Sequence, residues 1–349
     1  MQAGAGHGGI KPFIYAFLSE LGRMDKGAGL RFQMAVHCDS QLLDELPFPI
    51  VPAAAFGSPD VLYSPFGYST LMEAGTPAVA VVVDVLHREL PGALPIEEVH
   101  LRESQFQRLV GLPRVRLQCI SKFTEECMRR HYGVPPERCF QTALPIHDRL
   151  PHASNKPAHG PPDPGSDPFF LYPANFWPHK NHEVLLIAHR LHRHSAPLPW
   201  RLVLTGHEDA RCAQIREMAA GLMLGGHIRI AGHLDEPEFA SLWSRAGALI
   251  FPSLHEGFAI PLLEAMHFGV PILASNAAAI PETAGGAALL VDAGSPLVLA
   301  DGLNRIAADA GLRGELVARG RQRLARLSLQ SEVGKLADQL EAAARAAVS

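Results

Sequence analysis

In the second half of the chain, short apolar runs alternate with segments whose apolar residues recur every three or four positions. The runs are typical of buried β-strands, and the recurring positions are typical of one face of an α-helix. Strands that alternate with helices predict a parallel sheet covered by helices on both faces. The predicted strands are 169–172, 201–204, 227–230, 248–251 and 270–274, and the predicted helices lie at 184–191, from about 209, at 239–246, from about 261 and at 299–310.

The first half shows the same alternation in a less regular form. Positions 10, 13, 14, 17, 18 and 21 form the apolar face of a helix, and apolar runs at 32–36, 61–63, 78–83 and 116–120 predict strands. Only nine residues, four of them glycines, precede that helix, so they cannot supply the central first strand of such a sheet. We therefore expect that the natural polypeptide starts further upstream, or that another segment fills the gap.

A proline-rich segment separates the two halves. Residues 151–168 contain six prolines, two glycines and no apolar run, which is typical of an extended linker. The pattern predicts an α/β protein with an N-terminal domain over 1–150 and a C-terminal domain over 169–330. A last helix over 331–347 is expected to pack back on the N-terminal domain through a narrow apolar stripe. The stripe consists of Val333, Leu336, Leu340 and Ala344.

Composition and charge narrow the classes of function. The 349 residues are 47% hydrophobic and carry a formal net charge of −4, so the chain can bury two cores and has no strong basic field for nucleic acid or an anionic membrane. The longest apolar run, 77–83, is too short to cross a bilayer, and no charged segment followed by an apolar one opens the chain. These features favour a cytoplasmic protein.

Cysteines and histidines give no metal or disulfide pattern. The five cysteines are widely spaced without a C-x-x-C pair, which favours buried free thiols in a reducing compartment. Histidines recur at 179, 182, 189, 192 and 194, but their spacing is not that of a metal site. We therefore predict that they lie on a solvated helix face, and we predict no metal ligands.

The most informative segment, 251–266, reads FPSLHEGFAIPLLEAM. An apolar strand ends at its start, and Pro261 suits the first turn of a helix, where its missing N–H costs nothing. Backbone N–H groups at such a helix start can bind a diphosphate, and Glu256 and Glu264 can accept hydrogen bonds from sugar hydroxyls beside it. The alternative is that the two glutamates only stabilise the helix through its dipole. The N–H groups belong to Gly257, Phe258, Ala259 and Ile260.

This segment resembles the E-x7-E signature of the family-4 retaining glycosyltransferases, also called group 1, with Ala259 where the family commonly has glycine. Four further segments resemble the family in the same order, and together they cover about residues 168–330. Upstream, ISKFTEECMRRHYGVPPER from 120 resembles the family's segment before the linker. The four segments are LYPANFWPHKNHEVLLIAHRL from 171, RLVLTG from 201, HIRIAGHLDEPEFASLWSRAGALIFPS from 227 and GVPILASNAAAIPETAGGAALLVDAGSP from 269.

The resemblance implies a GT-B fold, in which two Rossmann-like domains with parallel sheets face each other across a cleft. It places the donor sugar near Glu256, the ribose hydroxyls at Glu264 and the donor diphosphate at Lys180. Lys180 would stabilise the charge that builds on the leaving group. Many relatives have an arginine where this chain has Asn175, so one cation for the phosphates is missing.

The resemblance carries over to other donor-binding positions less directly. Gly206 is expected to let the nucleotide approach, and the base is expected near Leu234. Gly8 and Gly9, in HGGIKPF, resemble the family's glycine loop, although a flexible terminus would look the same. His87 either replaces a histidine that the family often has and this chain lacks, or is a plain loop histidine.

The sequence thus predicts a retaining transferase that moves a hexosyl unit, with mannose as one candidate, from a GDP- or UDP-linked donor. The expected acceptor is a glycan or a lipid-linked saccharide of the cell-envelope polysaccharide type. No D-x-D motif occurs, which predicts transfer without a metal ion, and no cofactor is expected beyond the donor substrate. Weak peripheral association with the inner face of the membrane is compatible with such an acceptor.

Three alternatives stay open. A nucleotide-sugar epimerase or a phosphorylase-like enzyme would bind the donor in the same way. A degenerate donor-binding module would act as a scaffold, which the intact Glu256, Lys180 and Glu264 oppose and the changed positions Asn175 and Val83 favour. A nicotinamide-dependent enzyme is the weakest alternative, because it would need G-x-G-x-x-G after a strand and an acidic residue about 20 residues further on.

Overall fold

The structure, a computed structural model, describes residues 11–23, 34–36, 50–52, 59–144 and 167–345. Gly8 and Gly9 of the predicted glycine loop, and most of the predicted linker, lie outside these residues. The chain divides into two units. The first comprises Met1–Val85, Glu97–His147 and Leu327–Ser349, and the second comprises Leu86–Ile96 and Asp148–Arg326.

The described residues form twelve strands and twelve α-helices, numbered here in chain order. The strands are β1 (Met34–Val36), β2 (Ile50–Pro52), β3 (Leu62–Ser64), β4 (Ala78–Val82), β5 (Val115–Cys119), β6 (Cys139–Gln141), β7 (Phe169–Pro173), β8 (Arg201–Thr205), β9 (Ile228–Ile230), β10 (Ala248–Phe251), β11 (Ile272–Ser275) and β12 (Ala288–Val291). The helices are α1 (Lys11–Arg23), α2 (Leu86–Glu89), α3 (Ile96–Gly111), α4 (Lys122–Tyr132), α5 (His182–Ser195), α6 (Ala210–Gly221), α7 (Glu236–Arg245), α8 (Ile260–Phe268), α9 (Ile280–Ala284), α10 (Pro296–Ala308), α11 (Ala310–Leu324) and α12 (Leu329–Arg345). Among these helices, none combines the length and the apolar composition that crossing a bilayer requires.

The first unit is built on a four-stranded parallel sheet with the strand order β3-β4-β5-β6. Strand β4 is buried along its whole length, because its sequence AVAVV presents apolar side chains to both faces. Strands β1 and β2 form a separate parallel pair. Helix α12 packs against α1 and β4, and its stripe is buried at Val333, Leu336 and Leu340. The Glu332 carboxylate, on the same helix, accepts the Ala143 N–H at 2.9 Å.

The second unit is built on a six-stranded parallel sheet with the order β12-β11-β10-β7-β8-β9. Every neighbouring pair is parallel, so the carboxyl ends of all six strands lie along the same edge. The predicted alternation of strands and helices, and with it the α/β fold class, is confirmed. Ligands of open parallel sheets bind beyond the carboxyl ends of the strands, so the loops at this edge are the ones that matter for function.

Polar side chains cap the starts of several helices in the second unit. The Asp235 carboxylate accepts the Glu238 N–H at 2.8 Å, and the Glu238 side chain reaches back to form a capping box at the start of α7. The predicted helix over 299–310 is confirmed from 299 to 308, but its last position, Ala310, belongs to a separate helix. Helix α10 ends at Ala308, and the carboxylate of Asp309 accepts the Leu312 N–H at 2.8 Å, which starts α11.

The prediction of a solvated histidine face is wrong. His182, His189 and His192 are buried on α5, which packs against α10, and the rings of His189 and His192 lie against Phe170 in β7. Their spacing repeats that of the apolar face, so they take part in the core contacts. Nε2 of His189 lies 2.9 Å from the Trp200 carbonyl oxygen, and Nδ1 of His192 lies 2.6 Å from Oδ1 of Asn304. His189 thus connects α5 to the loop before β8, and His192 connects α5 to α10.

The described cysteines agree with the prediction of buried free thiols. Cys119, Cys127, Cys139 and Cys212 are buried, and none of the four forms a disulfide. Cys119, Cys127 and Cys139 pack in the apolar core of the first unit, although the Cys127 sulfur also accepts a hydrogen bond from Arg130 at 3.4 Å. Cys38 lies outside the described residues.

Candidate functional site

The loop between β7 and α5 carries Lys180. Because Pro178 restricts the residue before it, Trp177 is extended, with ψ 148°. A 3-10 turn follows, in which the Lys180 N–H donates to the Trp177 carbonyl oxygen at 2.9 Å. Asn181 then has φ 60° and ψ 38°, a left-handed conformation that asparagine tolerates better than most residues, and α5 starts at the next residue. The PHKN sequence therefore holds Lys180 beyond the carboxyl end of β7.

Asn181 joins this loop to two others at the same edge of the sheet. Its buried side-chain nitrogen donates to the carbonyl oxygens of Pro252, at 3.2 Å, and Ala293, at 2.7 Å. The Tyr172 hydroxyl donates to the Lys180 carbonyl oxygen at 2.7 Å. Burial raises the pKa of Tyr172 well above its usual value, so the hydroxyl remains a donor. These bonds fix the backbone at Lys180 from two sides.

The loop between β10 and α8 carries Glu256 and ends in an unusual helix start. Ala259 has φ 71° and ψ 58°, in the left-handed region that favours glycine. Two hydrogen bonds tie the loop to α9 and to the residue before it. The Thr283 hydroxyl donates to the Phe258 carbonyl oxygen, and the Ala279 N–H donates to the Glu256 carbonyl oxygen at 3.3 Å. Helix α8 has no capping side chain and no acidic residue in its first turn, so the positive end of its dipole remains available to an anion.

The two loops bring Lys180 and Glu256 into direct contact. Nζ of Lys180 lies 2.6 Å from Oε1 of Glu256, and each side chain is 13% exposed. The same ammonium lies 5.8 Å from the ring centroid of Phe251 and 6.0 Å from that of Trp177. Cation–π attraction therefore adds to the ion pair. Lys180 is therefore a mostly buried lysine in an ion pair, and not the solvated lysine that the helix start alone would suggest.

The second glutamate of the motif has a different environment. Glu264 lies in the middle of α8 and is almost fully buried, as are Phe258 and Ala259 before the helix. Ile260, at the first helical position, is partly exposed, and Gly257 is buried. The structure thus places all six motif residues on one loop and helix, with Glu256 at the ion pair and Glu264 further along. Their roles toward a donor remain predictions.

Three other predicted donor residues lie in loops after β7, β8 and β9. Asn175 accepts the His207 N–H on its side-chain oxygen at 2.9 Å, which joins two of these loops. Gly206 has φ 152°, and a Cβ there would lie 2.5 Å from the Ala174 carbonyl oxygen. The protein's own backbone therefore already requires glycine at this position. Leu234 is partly exposed in the loop after β9, and donor contacts of all three residues remain predictions.

His87 falls within the N-terminal domain predicted over 1–150. In the structure it is buried on α2, within the stretch Leu86–Ile96 that groups with the second unit. The nearby Asp84 carboxylate, in the first unit, accepts a hydrogen bond from Arg102 at 3.1 Å. A role for His87 toward the donor sugar remains a prediction.

Asn181, Tyr172 and Trp177 are site residues that were not predicted from the sequence. An asparagine directly after a turn that begins with proline is a signal for a left-handed residue. Tyrosine at the end of an apolar strand signals a hydroxyl that needs a partner when buried. Trp177 follows the buried Phe176 and precedes Pro178, so two adjacent aromatic residues before a proline signal one ring in the core and one at the surface.

Comparisons with known proteins agree with this site. The family described as "Glycosyl transferases group 1" matches residues 158–323, a range that includes Lys180, Glu256 and Glu264. Residues 158–323 therefore match the group 1 glycosyltransferases, and the resemblance seen in the sequence is confirmed. The O-antigen chain mannosyltransferase B of Escherichia coli is 26% identical over 218 residues, 62% of this chain and 57% of that protein. The chain thus spans little more than half the length of this curated relative.

Solved structures share the fold over nearly the whole chain. A glycosyltransferase from Rickettsia africae ESF-5 has a TM-score of 0.71 at 12% identity, covering 96% of both chains. Anabaena Alr3699/HepE, solved in complex with UDP and glucose, has a TM-score of 0.70 at 15% identity, again covering 96% of both chains. The chain has the GT-B fold of these glycosyltransferases.

Proposed function

We propose that the second unit binds a nucleotide-sugar donor and that the protein transfers the donor's hexosyl unit to a saccharide acceptor. The observation that carries the proposal is the contact between Lys180 and Glu256 next to the start of α8. It puts a cation, a carboxylate and a helix N-terminus at one place, beyond the carboxyl ends of the strands. The family match over the same residues supports this reading.

Lys180 and the start of α8 supply positive charge for a diphosphate. In a group transfer of this kind, the bond from the anomeric carbon to the diphosphate oxygen breaks, and negative charge builds on that oxygen. The Lys180 ammonium and the first N–H groups of α8 stabilise this charge more in the transition state than in the bound donor. Because the protein supplies this charge itself, we propose that transfer needs no metal ion.

Glu256 is the group that recognises the donor sugar. A diphosphate that pairs with the Lys180 ammonium breaks the ion pair between Lys180 and Glu256. The Glu256 carboxylate can then accept hydrogen bonds from hydroxyls of the hexose. Glu264 serves the ribose hydroxyls, and Gly206, Asn175 and Leu234 lie in loops that flank the nucleotide. His87, Gly8 and Gly9 are assigned to the donor by motif position alone.

Transfer with retention follows from attack on the face that the diphosphate leaves. The acceptor oxygen bonds to the anomeric carbon, and its proton passes to the departing diphosphate oxygen, so no residue of the protein need form a covalent intermediate. The glycosidic product would have the anomeric configuration of the donor. Proton NMR of the first product formed distinguishes retention from inversion.

The names of the relatives guide the choice of substrates. Since one relative is an O-antigen chain mannosyltransferase, mannose is the first sugar to test, from a GDP- or UDP-linked donor. We propose a glycan or lipid-linked acceptor of the cell-envelope polysaccharide type. A cytoplasmic enzyme with weak peripheral association at the inner face of the membrane would reach such an acceptor.

The test is turnover of a panel of GDP- and UDP-linked hexoses, in the presence of a chelator, with α-mannosides and a lipid extract as acceptors. Glu256→Gln and Lys180→Met should abolish transfer. Glu315→Gln, which removes an exposed ion pair with Arg319 on α11, is the matched control and should remain active. Conversion of the donor in the absence of any acceptor would instead favour an epimerase or a phosphorylase-like enzyme. Activity that requires an added metal ion would contradict the proposed charge stabilisation.

A further inference from the structure

We propose that Trp177, together with Leu254 from the loop that carries Glu256, forms a platform for the apolar face of a pyranose ring, and that this Trp177–Leu254 platform selects saccharides at the site. The inference rests on the proposed function and adds a specificity residue to it. Both side chains lie in the two motif segments, but neither is among the residues to which that function is assigned. The chemistry recognised is a sugar ring whose C–H face stacks on the indole while its hydroxyls stay in water.

The exposure of the two side chains is the first observation. Trp177 is 41% exposed, although tryptophan is highly buried on average, and Leu254 is 36% exposed. They come from the two loops that carry Lys180 and Glu256. The Leu254 N–H donates to the carbonyl oxygen of His179 at 2.8 Å, so the loops are bonded to each other at the platform.

The platform lies next to the reacting groups. The ring centroid of Trp177 is 6.0 Å from Nζ of Lys180, which in turn is 2.6 Å from Oε1 of Glu256. Leu254 lies two residues before Glu256 in the same loop. A saccharide that stacks on the indole is therefore within one sugar residue of the ion pair.

The indole is held before any ligand arrives. Pro178 restricts the Trp177 backbone, the Lys180 N–H bonds its carbonyl oxygen, and its ring lies 5.7 Å from that of His179. A rigid aromatic surface loses little conformational entropy on binding, which is why tryptophan so often dominates binding energy. One indole and one leucine match a sugar ring in size, whereas a lipid chain would need a longer apolar surface.

The sugar ring has two sources, the acceptor saccharide and the hexose of the donor. Calorimetric titrations with α-mannotriose, with GDP-mannose and with bare GDP separate them. Trp177→Ala should weaken binding of the sugar-bearing ligand by about tenfold, and Trp177→Phe should keep it within about threefold of the wild type. Leu198→Ala, which removes an exposed leucine from the loop before β8, at the opposite end of the strands, should change nothing.

Each outcome of the titrations supports or overturns the proposed platform. A loss confined to mannotriose supports the platform and assigns it to the acceptor. A loss for GDP-mannose without a loss for GDP supports it and assigns it to the donor sugar. Unchanged binding of both sugars in Trp177→Ala, an equal loss for bare GDP, or no binding of either sugar by the wild type would overturn it. The proposed function fails separately, as absence of nucleotide-sugar turnover by the wild type.

Discussion

Nζ of Lys180 and Oε1 of Glu256 lie 2.6 Å apart, although 76 positions separate the two residues in the sequence. Each group satisfies the charge of the other in surroundings that leave both side chains mostly shielded from water. If the proposed assignments hold, a diphosphate competes with Glu256 for the ammonium, and a sugar competes with Lys180 for the carboxylate. A nucleotide sugar offers a new partner to the ammonium and to the carboxylate at once, whereas a sugar or a diphosphate alone offers a partner to only one of them.

The left-handed conformation of Ala259 predicts a stabilising substitution. A left-handed backbone costs an L-residue roughly 1–2 kcal/mol, and glycine avoids this cost but loses roughly 0.5–1 kcal/mol more entropy on folding. Ala259→Gly should therefore raise the free energy of unfolding by about 0.5–1 kcal/mol, measured as a shift of the urea midpoint. As the matched control, Ala213→Gly on the exposed side of α6 should lower it by about 1 kcal/mol. A loss of stability in both variants would contradict the conformation described for Ala259.

The close approach of two loops at Gly206 predicts a severe effect of one methyl group. Because a Cβ at Gly206 would lie 2.5 Å from the Ala174 carbonyl oxygen, Gly206→Ala must displace the loop after β7 or the loop after β8. We expect a loss of stability of about 2–4 kcal/mol, with weaker nucleotide binding because both loops belong to the site. Gly221→Ala is the control, since no heavy atom lies within 4 Å of the added Cβ and the helical backbone accepts alanine. Equal thermal midpoints for the two variants would disprove the steric argument.

Most of the second unit could be predicted from the sequence, because strands buried on both faces leave short apolar runs and their helices leave a clear period. The period alone did not distinguish a buried histidine from a solvated one, since His189 and His192 occupy positions that an apolar residue would also fit. Whether such a ring meets water depends on α10, which is far away in the sequence. The break at Asp309 was missed because the apolar spacing continues across it.

The sequence located Glu256 and Lys180 separately, but not their contact. Contact depends on the left-handed turn at Asn181 and on its hydrogen bonds to Pro252 and Ala293, which no local pattern encodes. The glycine at 206 was assigned to a ligand, whereas the chain's own backbone already requires it. Such requirements are tertiary, so they become visible only when the loops are placed together.

The buried histidines predict that the protein loses stability in mild acid. Burial lowers the pKa of His189 to about 4 and that of His182 to about 3, while the unfolded chain binds these protons near pH 6.5. Between about pH 6.5 and 4, the unfolded state therefore binds more protons than the folded state. The stability that the neutral histidines contribute is fully present above that range and is lost as the pH falls through it. Each histidine adds a slope of about 1.4 kcal/mol per pH unit.

The variant His189→Gln isolates one of these protons. The glutamine amide can still donate to the Trp200 carbonyl oxygen, but it does not ionise. Urea midpoints measured from pH 7.5 to 4.5 should show a flatter decline for the variant than for the wild type. Parallel curves for the two proteins would mean that His189 is not held neutral by burial.

The assignment of Lys180 to the diphosphate and of Glu256 to the sugar is tested by calorimetric titration of the bare nucleoside diphosphate into four proteins. These are the wild type, Lys180→Met, Glu256→Gln and the double variant, titrated with whichever of GDP and UDP binds more tightly. Removing Lys180 deletes a charge-assisted contact, whereas removing the Glu256 charge frees the ammonium and removes a repulsion. We expect Lys180→Met to weaken binding by about tenfold and Glu256→Gln to strengthen it by about threefold to tenfold, with the gain absent from the double variant. An equal loss of affinity in both single variants would contradict the account.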